Sequence, residues 1–264
     1  MFEWQYRSDA PTFLSVEQVR QFDEHGYVLV EHAFDAATVD ALRSAIDEWE
    51  TGTEEFLRSQ PDGSLFIATA GEITFTVHLV TRCPEARAFV QHPALLGIAG
   101  DLVGRDVRLY WDQAVYKKPE PAREFPWHQD NGYAFVEPQQ YLTCWVPLTD
   151  ATVSNGCPWV MPGLHHRGTL EHWSTPVGYQ CLENDEHVTA AVPVEAPAGS
   201  VVVFSSLTPH RTGPNTSDSV RKAYIVQYAP DGAEVVQASG TRVRQDAPDR
   251  QFQVLRSGVP VAGD

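Results

Sequence analysis

From Tyr141 onward the chain is written in short apolar runs separated by prolines and glycines: Tyr141 to Pro147, Trp159 to Met161, Val188 to Val194, Ser200 to Phe204 and Lys222 to Tyr228. Runs this short suit strands, and turns this frequent favour a sandwich or barrel over a parallel α/β sheet.

Helical patterns come first. Ser15 can cap a helix through about Glu24, with Gln18 completing a capping box and Gly26 stopping it, and Tyr27 to Val30 then reads as a strand. Asp35 opens a second helix, in which Val39, Leu42, Ile46 and Trp49 recur at helical spacing and are assigned to the core. Thr51 to Gly63 is polar, contains Pro61 and Gly63, and reads as a loop or lid. Pro93 to Val103 is helical in pattern up to Gly104, and Val107 to Tyr116 alternates as a strand. The expected class is mainly β with flanking α, a double-stranded β-helix (a cupin-like jelly roll) with N-terminal helices. A chain of 264 residues is expected to form one domain over 1–264, its core at about 14–230 and its tail, 231–264, peripheral.

Charge narrows the partners. A net charge of −16, with only Lys117, Lys118 and Lys222 as lysines, argues against nucleic acid and anionic membrane, both of which need basic patches. The same acidity disfavours a polyanionic coenzyme A thioester, although a local cluster near Arg123 or Arg167 would offset it. Cys83, Cys144, Cys157 and Cys181 form no Cys-x-x-Cys pair and read as reduced thiols. The N-terminal residues show no basic region followed by an apolar core, and no apolar run reaches membrane-spanning length. The expectation is a soluble cytoplasmic protein, monomer or homodimer, acting on a small molecule.

The chemistry centres on Phe125 to Tyr133, where His128 and Asp130 lie two residues apart. In an extended segment such residues share a face, so an imidazole and a carboxylate can reach one ion. His210, after the run Val201 to Phe204 and a proline, offers a third ligand. Two histidines and a carboxylate form a facial triad with open positions, suited to non-haem Fe(II), whereas structural zinc wants a fourth protein ligand. Arg221, eleven residues past His210, can hold a carboxylate in a bidentate manner near that ion. Trp127, Tyr133, Phe135 and Trp159 are candidates either for an apolar substrate pocket or for core. His165 and His166 adjoin in sequence and read as groups near the site or on the surface rather than joint ligands. Asn155-Gly156 is a turn signal, equally a loop rimming the pocket.

Taken together, Leu14 to Val19, Glu24 to Val30, Trp127 to Asp130, Asn155 to His165, His210 and Arg221 resemble the phytanoyl-CoA dioxygenase family of Fe(II)- and 2-oxoglutarate-dependent oxygenases. The resemblance implies His128, Asp130 and His210 as iron ligands and Arg221 as partner of the distal carboxylate of 2-oxoglutarate. It also implies co-substrate contacts from Gln113, Trp145 and Thr212. The implied reaction consumes O2, decarboxylates 2-oxoglutarate to succinate and CO2, and hydroxylates a small-molecule substrate. Related halogenases replace the carboxylate ligand by Gly or Ala, whereas Asp130 is present here. Some members carry an upstream lysine for 2-oxoglutarate, and Ile73 to His78 contains no basic residue. A zinc hydrolase with the same two histidines and aspartate, and a non-catalytic jelly-roll binding protein, are the alternatives from other classes; the first gives Arg221 and Gln113 no task.

Overall fold

A computed structural model describes residues 10–119, 124–183 and 190–261. Helix α1 (Val16–His25) begins as its sequence signals: the Ser15 hydroxyl accepts from the Gln18 amide at 3.1 Å, and the Gln18 side chain accepts from the Ser15 amide at 2.9 Å. Gly26, at φ 80°, ends the helix in the left-handed region and passes the chain to β1 (Tyr27–Val30). Asp35 caps α2 by accepting from the Thr38 amide at 2.8 Å. That helix runs over Ala36–Arg58, so the stretch expected to be a loop from Thr51 continues as helix for two more turns. The Thr51 and Thr53 hydroxyls bond back to the carbonyls of Asp47 and Trp49, and Arg58 pairs with Glu54 at 2.6 Å. Tertiary contacts offset the poor helix propensity of Thr-Gly-Thr: Leu57 is buried, and the Thr74 and Thr76 hydroxyls donate to Glu50 at 2.9 Å and Thr53 at 3.0 Å.

The remaining main elements, in chain order, are β2 (Ile73–Val77), α3 (Pro84–Phe89), α4 (Pro93–Leu102), β3 (Val107–Lys117), β4 (Phe125–His128), β5 (Leu142–Pro147), β6 (Pro158–Val160), β7 (Val192–Pro193), β8 (Val201–Ser205), β9 (His210–Thr212), β10 (Arg221–Pro230) and β11 (Gln253–Arg256). One antiparallel sheet has the order β1-β8-β5-β10-β3-β2, and a smaller one has the order β7-β6-β9-β4. The strand-period alternation assigns each residue of the large sheet to one of two faces. Leu142, Cys144, Val146, Val201, Val203, Tyr224, Val226 and Tyr228 pack outward against Phe22, Leu42, Ile46, Leu95 and Ile98 of the helices. Trp145, Val202, Phe204 and Ala223 point inward and meet Cys157 and Val160 of the small sheet. This is the jelly roll expected from the short runs.

Three local expectations change. Of the run from Val188 to Val194, the described residues form strand only at Val192–Pro193; residues 184–189, and Arg123, lie outside the described residues. The tail is not peripheral: β11 pairs with the start of β3, and Val254 and Leu255 are buried in the main core. Trp49 leaves the core and is 39% exposed, whereas Val39, Leu42 and Ile46 are buried as expected. The four cysteines are free and buried, and among the described residues no helix is long and apolar enough to cross a membrane.

Gly26 couples the N-terminal helix to the segment that carries His210. Its carbonyl accepts from the Ser205 amide at 2.9 Å and from the Thr208 hydroxyl at 2.7 Å. A Cβ at this position would lie 2.5 Å from both His165 Nδ1 and Thr208 Oγ1, in a backbone conformation that L side chains avoid. Gly26→Ala should therefore lower stability by about 2–4 kcal/mol, read as a shift of the denaturant midpoint; an unchanged midpoint would contradict this packing.

Candidate active site

Strands β4 and β9 are neighbours in the small sheet, and their register sets His128 directly opposite His210. The two rings therefore share a face, with centroids 4.1 Å apart. Asp130 arrives differently from the extended geometry expected of a His-x-Asp segment. The strand ends at His128, and Asp130 opens a 3₁₀ turn, Asp130–Gly132, that brings its carboxylate back over the histidines. Its Oδ1 lies 3.8 Å from His128 Nε2 and 3.7 Å from His210 Nε2, and one ligand atom from each of the three residues falls within 4.8 Å of the others.

The surrounding bonds orient these groups for an ion. His128 Nδ1 is 2.9 Å from the Pro126 carbonyl and His210 Nδ1 is 3.0 Å from the Thr208 carbonyl. A carbonyl only accepts, so Nδ1 carries the proton in both rings and each Nε2 presents a bare lone pair toward the other ligands. Burial and the neighbouring His210 push the His128 pKa down to about 3, and burial pushes that of His210 down to about 4, so both are neutral ligands near pH 7. Burial raises the pKa of the Asp130 carboxyl, opposed by His128 and by the Thr143 hydroxyl, which donates to Oδ2. Thr143 in turn accepts from Gln227 Nε2 at 3.1 Å, across the β5–β10 pairing. Gln129, between the two ligands, is fully buried and ties the ends of the site together: its amide donates to the Gly168 and Leu207 carbonyls and its oxygen accepts from the Leu170 amide. Sequence reasoning missed Gln129, Thr143 and Gln227; a polar residue on the inward face of an apolar strand was the available signal for the last two.

The triad opens into a cavity of about 950 Å³ between the sheets and α2. Alternation explains its lining: Phe75 and Val77 from β2, Trp111, Gln113 and Val115 from β3, Thr143 and Trp145 from β5, and Arg221, Ile225 and Gln227 from β10 all project inward. Gln113, Trp145, Thr212 and Arg221 thus meet in one cavity with the three candidate ligands. Trp111 Nε1 donates to Gln113 Oε1 at 3.2 Å, which leaves the Gln113 amide hydrogens free to face a ligand.

Arg221 carries the strongest electrostatic signal. It is 1% exposed, its guanidinium lies 5.2 Å over the Trp145 ring, and none of its three side-chain nitrogens has a hydrogen-bond partner among the described residues. Burial lowers its pKa to about 10, so it remains a cation at neutral pH. A buried, unpartnered guanidinium is costly unless an anion meets it. It fits a carboxylate, and the adjacent two-histidine, one-aspartate set fits a divalent iron that keeps open positions. The basic residue missing from Ile73 to His78 has a counterpart in register: Lys117, buried, stands between Ile73 and Arg221 on neighbouring strands, with its Nζ 3.4 Å from the Thr212 hydroxyl and bonded to the Gly213 carbonyl.

Of the four aromatic pocket candidates only Tyr133 lines the cavity, edge-on to His128 at 5.3 Å. Trp127 and Trp159 point to the opposite face of the small sheet, where the Arg211 guanidinium lies 5.3 Å from each ring. Phe135 sits outside the cavity at the surface. His165 is buried in a separate 3₁₀ turn, with Nε2 3.0 Å from the Asp23 carbonyl, and among the described residues neither it nor His166 joins a cluster of candidate metal ligands. Asn155-Gly156 closes a 3₁₀ turn rather than a two-residue hairpin.

In metal-free protein the imidazole signals of His128 and His210 should stay at their neutral positions between about pH 8 and about pH 5, followed by NMR. A midpoint near the ordinary histidine value would show that water, not protein, surrounds these rings.

Residues 22–223 match the family model for phytanoyl-CoA dioxygenase (PhyH). A probable phytanoyl-CoA dioxygenase of Caenorhabditis elegans is 25% identical over 239 residues, covering 83% of this chain and 77% of that protein. An ectoine dioxygenase of Bordetella parapertussis is 27% identical over 237 residues, covering 81% and 75%. Among solved structures, the non-haem α-ketoglutarate-dependent carbocyclase SnoK from nogalamycin biosynthesis matches with a TM-score of 0.70 at 28% identity, covering 97% of each chain. With a family model spanning most of its length and the histidine–aspartate–histidine cluster in place, the chain belongs to the phytanoyl-CoA dioxygenase family.

Proposed function

We propose that the protein is an Fe(II)- and 2-oxoglutarate-dependent dioxygenase that hydroxylates a free small molecule and releases succinate and CO2. The observation that carries this reading is the orphaned Arg221 guanidinium in the same cavity as the triad. Family membership and the likeness to an α-ketoglutarate-dependent carbocyclase support the iron and 2-oxoglutarate chemistry.

In this reading His128, Asp130 and His210 hold the metal, and the bound metal with 2-oxoglutarate supplies the activation of O2. The chain's own residues supply geometry. Pro126 and Thr208 carbonyls hold the two imidazoles in the ligating tautomer, and Thr143 with Gln227 fixes the carboxylate plane. Arg221 would receive the distal carboxylate, for which its guanidinium offers paired N–H donors, and Thr212 and Gln113 line the same cavity. Phe204, whose ring centroid is 4.4 Å from that of His210, and Trp145 exclude water from this end of the cavity. With Asp130 in the cluster, the chain would supply a third protein ligand to the metal, which favours hydroxylation over halogenation.

Purified protein supplied with Fe(II) should form succinate only when 2-oxoglutarate and O2 are present, and Asp130→Ala should abolish this; succinate formation that survives a chelator in metal-free buffer would contradict the reading. Arg221→Gln should weaken 2-oxoglutarate binding by roughly thirtyfold to several thousandfold with Fe(II) affinity nearly intact. Overlapping 2-oxoglutarate titrations of wild type and variant would remove Arg221 from the site.

A further inference from the structure

The outer half of the cavity is unlike its inner half. Four large apolar side chains that line it are also substantially exposed: Trp49 at 39%, Phe56 at 51%, Leu65 at 53% and Phe66 at 70%. They come from the C-terminal part of α2 and from the hairpin whose two strands, Ser64–Leu65 and Ala68–Thr69, enclose a two-residue turn at Phe66-Ile67. A single exposed apolar residue is ordinary, but four on the rim of one cavity form a contiguous patch of the kind that marks a binding surface. Phe66 departs from its local chemistry twice. It sits at φ 53°, where hairpin turns favour Asn or Gly, and it presents its ring to water. Both features weigh against folding and are explained if the ring's partner is a ligand.

The cations around this mouth are sorted in the same sense. Arg58 is paired with Glu54, and Lys118 with Glu50 and Glu54, so neither is offered to an anion. Arg82 is the one cation lining the outer cavity among the described residues. It stacks 5.4 Å over Trp49, donates one hydrogen bond to the Val77 carbonyl, and forms no direct ion pair among the described residues, its electrostatic carboxylate partner being the buried Asp112. A nucleotide phosphate tail would need several free cations; one guanidinium against a wall of rings suits one anionic or electron-rich oxygen on an apolar body.

We propose that the substrate is a bulky apolar molecule, built on rings rather than on a polar or nucleotide-bearing chain, with a single acidic or carbonyl oxygen that docks on Arg82 while Phe66 and Leu65 fold over its body. This deepens the oxygenase reading by naming the substrate class, and it rests on that reading only in taking the triad end of the cavity as the reacting end. Size agrees: about 950 Å³ is near the upper range for drug-sized ligands and far exceeds what 2-oxoglutarate alone fills.

The test uses the full chain without iron or 2-oxoglutarate, so its outcome is independent of whether the protein is an oxygenase. The probe is 8-anilinonaphthalene-1-sulfonate, which joins aromatic rings to one sulfonate. Wild type should bind one probe per chain, saturably, and coenzyme A should not displace it. Phe66→Asn should weaken probe binding by roughly tenfold, while thermal stability stays level or rises because Asn suits the positive φ. Arg82→Gln should weaken it by roughly three- to tenfold. Displacement by coenzyme A, or probe affinity unchanged in both variants, would overturn the proposal. Failure of 2-oxoglutarate to bind the iron-loaded protein would instead count against the oxygenase reading and leave this arm standing.

Discussion

Everything at the site depends on one antiparallel register, that of β4 with β9. It sets His128 against His210, and because side chains alternate it also sends Trp127 and Arg211 to the other face of the small sheet. A slip of one residue would exchange ligand and tryptophan. With only three residues in β9, the register is held at its His128–His210 end by polar bonds. Gln129 ties its end of β4 to the Leu207 carbonyl ahead of β9, and the Gly26 carbonyl accepts from the Thr208 hydroxyl two residues before His210.

The large sheet then does for charge what the small one does for the ligands. Its outward face is continuous with the helical core, so the free energy of folding comes mainly from that side. Its inward face turns the unpartnered Arg221 cation into the cavity, which the neutral histidines of the small sheet and the Asp130 carboxylate also line. Natural chains tolerate such groups where a ligand meets them, and the cavity gathers them all within reach of one another. Lys117 adds a second buried cation, opposite Arg221 on the neighbouring strand and anchored on the Thr212 and Gly213 carbonyls.

Much of this was legible in the sequence, for physical reasons that differ from residue to residue. The capping box at Ser15 and the stop at Gly26 are local hydrogen-bond chemistry and appear as read. The pairing of His128 with Asp130 and the distant His210 was legible because few residue types ligate iron, although the carboxylate arrives on a 3₁₀ turn rather than on the strand. Pocket aromatics were not legible from closeness to the motif. Trp127 and Trp159 neighbour the site in sequence and face away from it, whereas Trp49, Phe75 and Trp111 are brought in by α2, β2 and β3. The end of α2 was hidden because Thr-Gly-Thr opposes helix by propensity, and what holds it is tertiary: burial of Leu57 and bonds from Thr74 and Thr76 of β2. The tail's β11 was hidden because its partner, β3, lies more than a hundred residues earlier in the chain.

If the protein works as proposed, the cavity that the triad and Arg221 share would hold both metal and 2-oxoglutarate. Calorimetric titration of 2-oxoglutarate under anaerobic conditions, with and without Fe(II), tests this most directly. One 2-oxoglutarate per chain is expected, bound much more tightly when iron is present, because the metal would then add an attachment for the keto acid end. Equal affinity with and without iron, or no binding in either state, would contradict it.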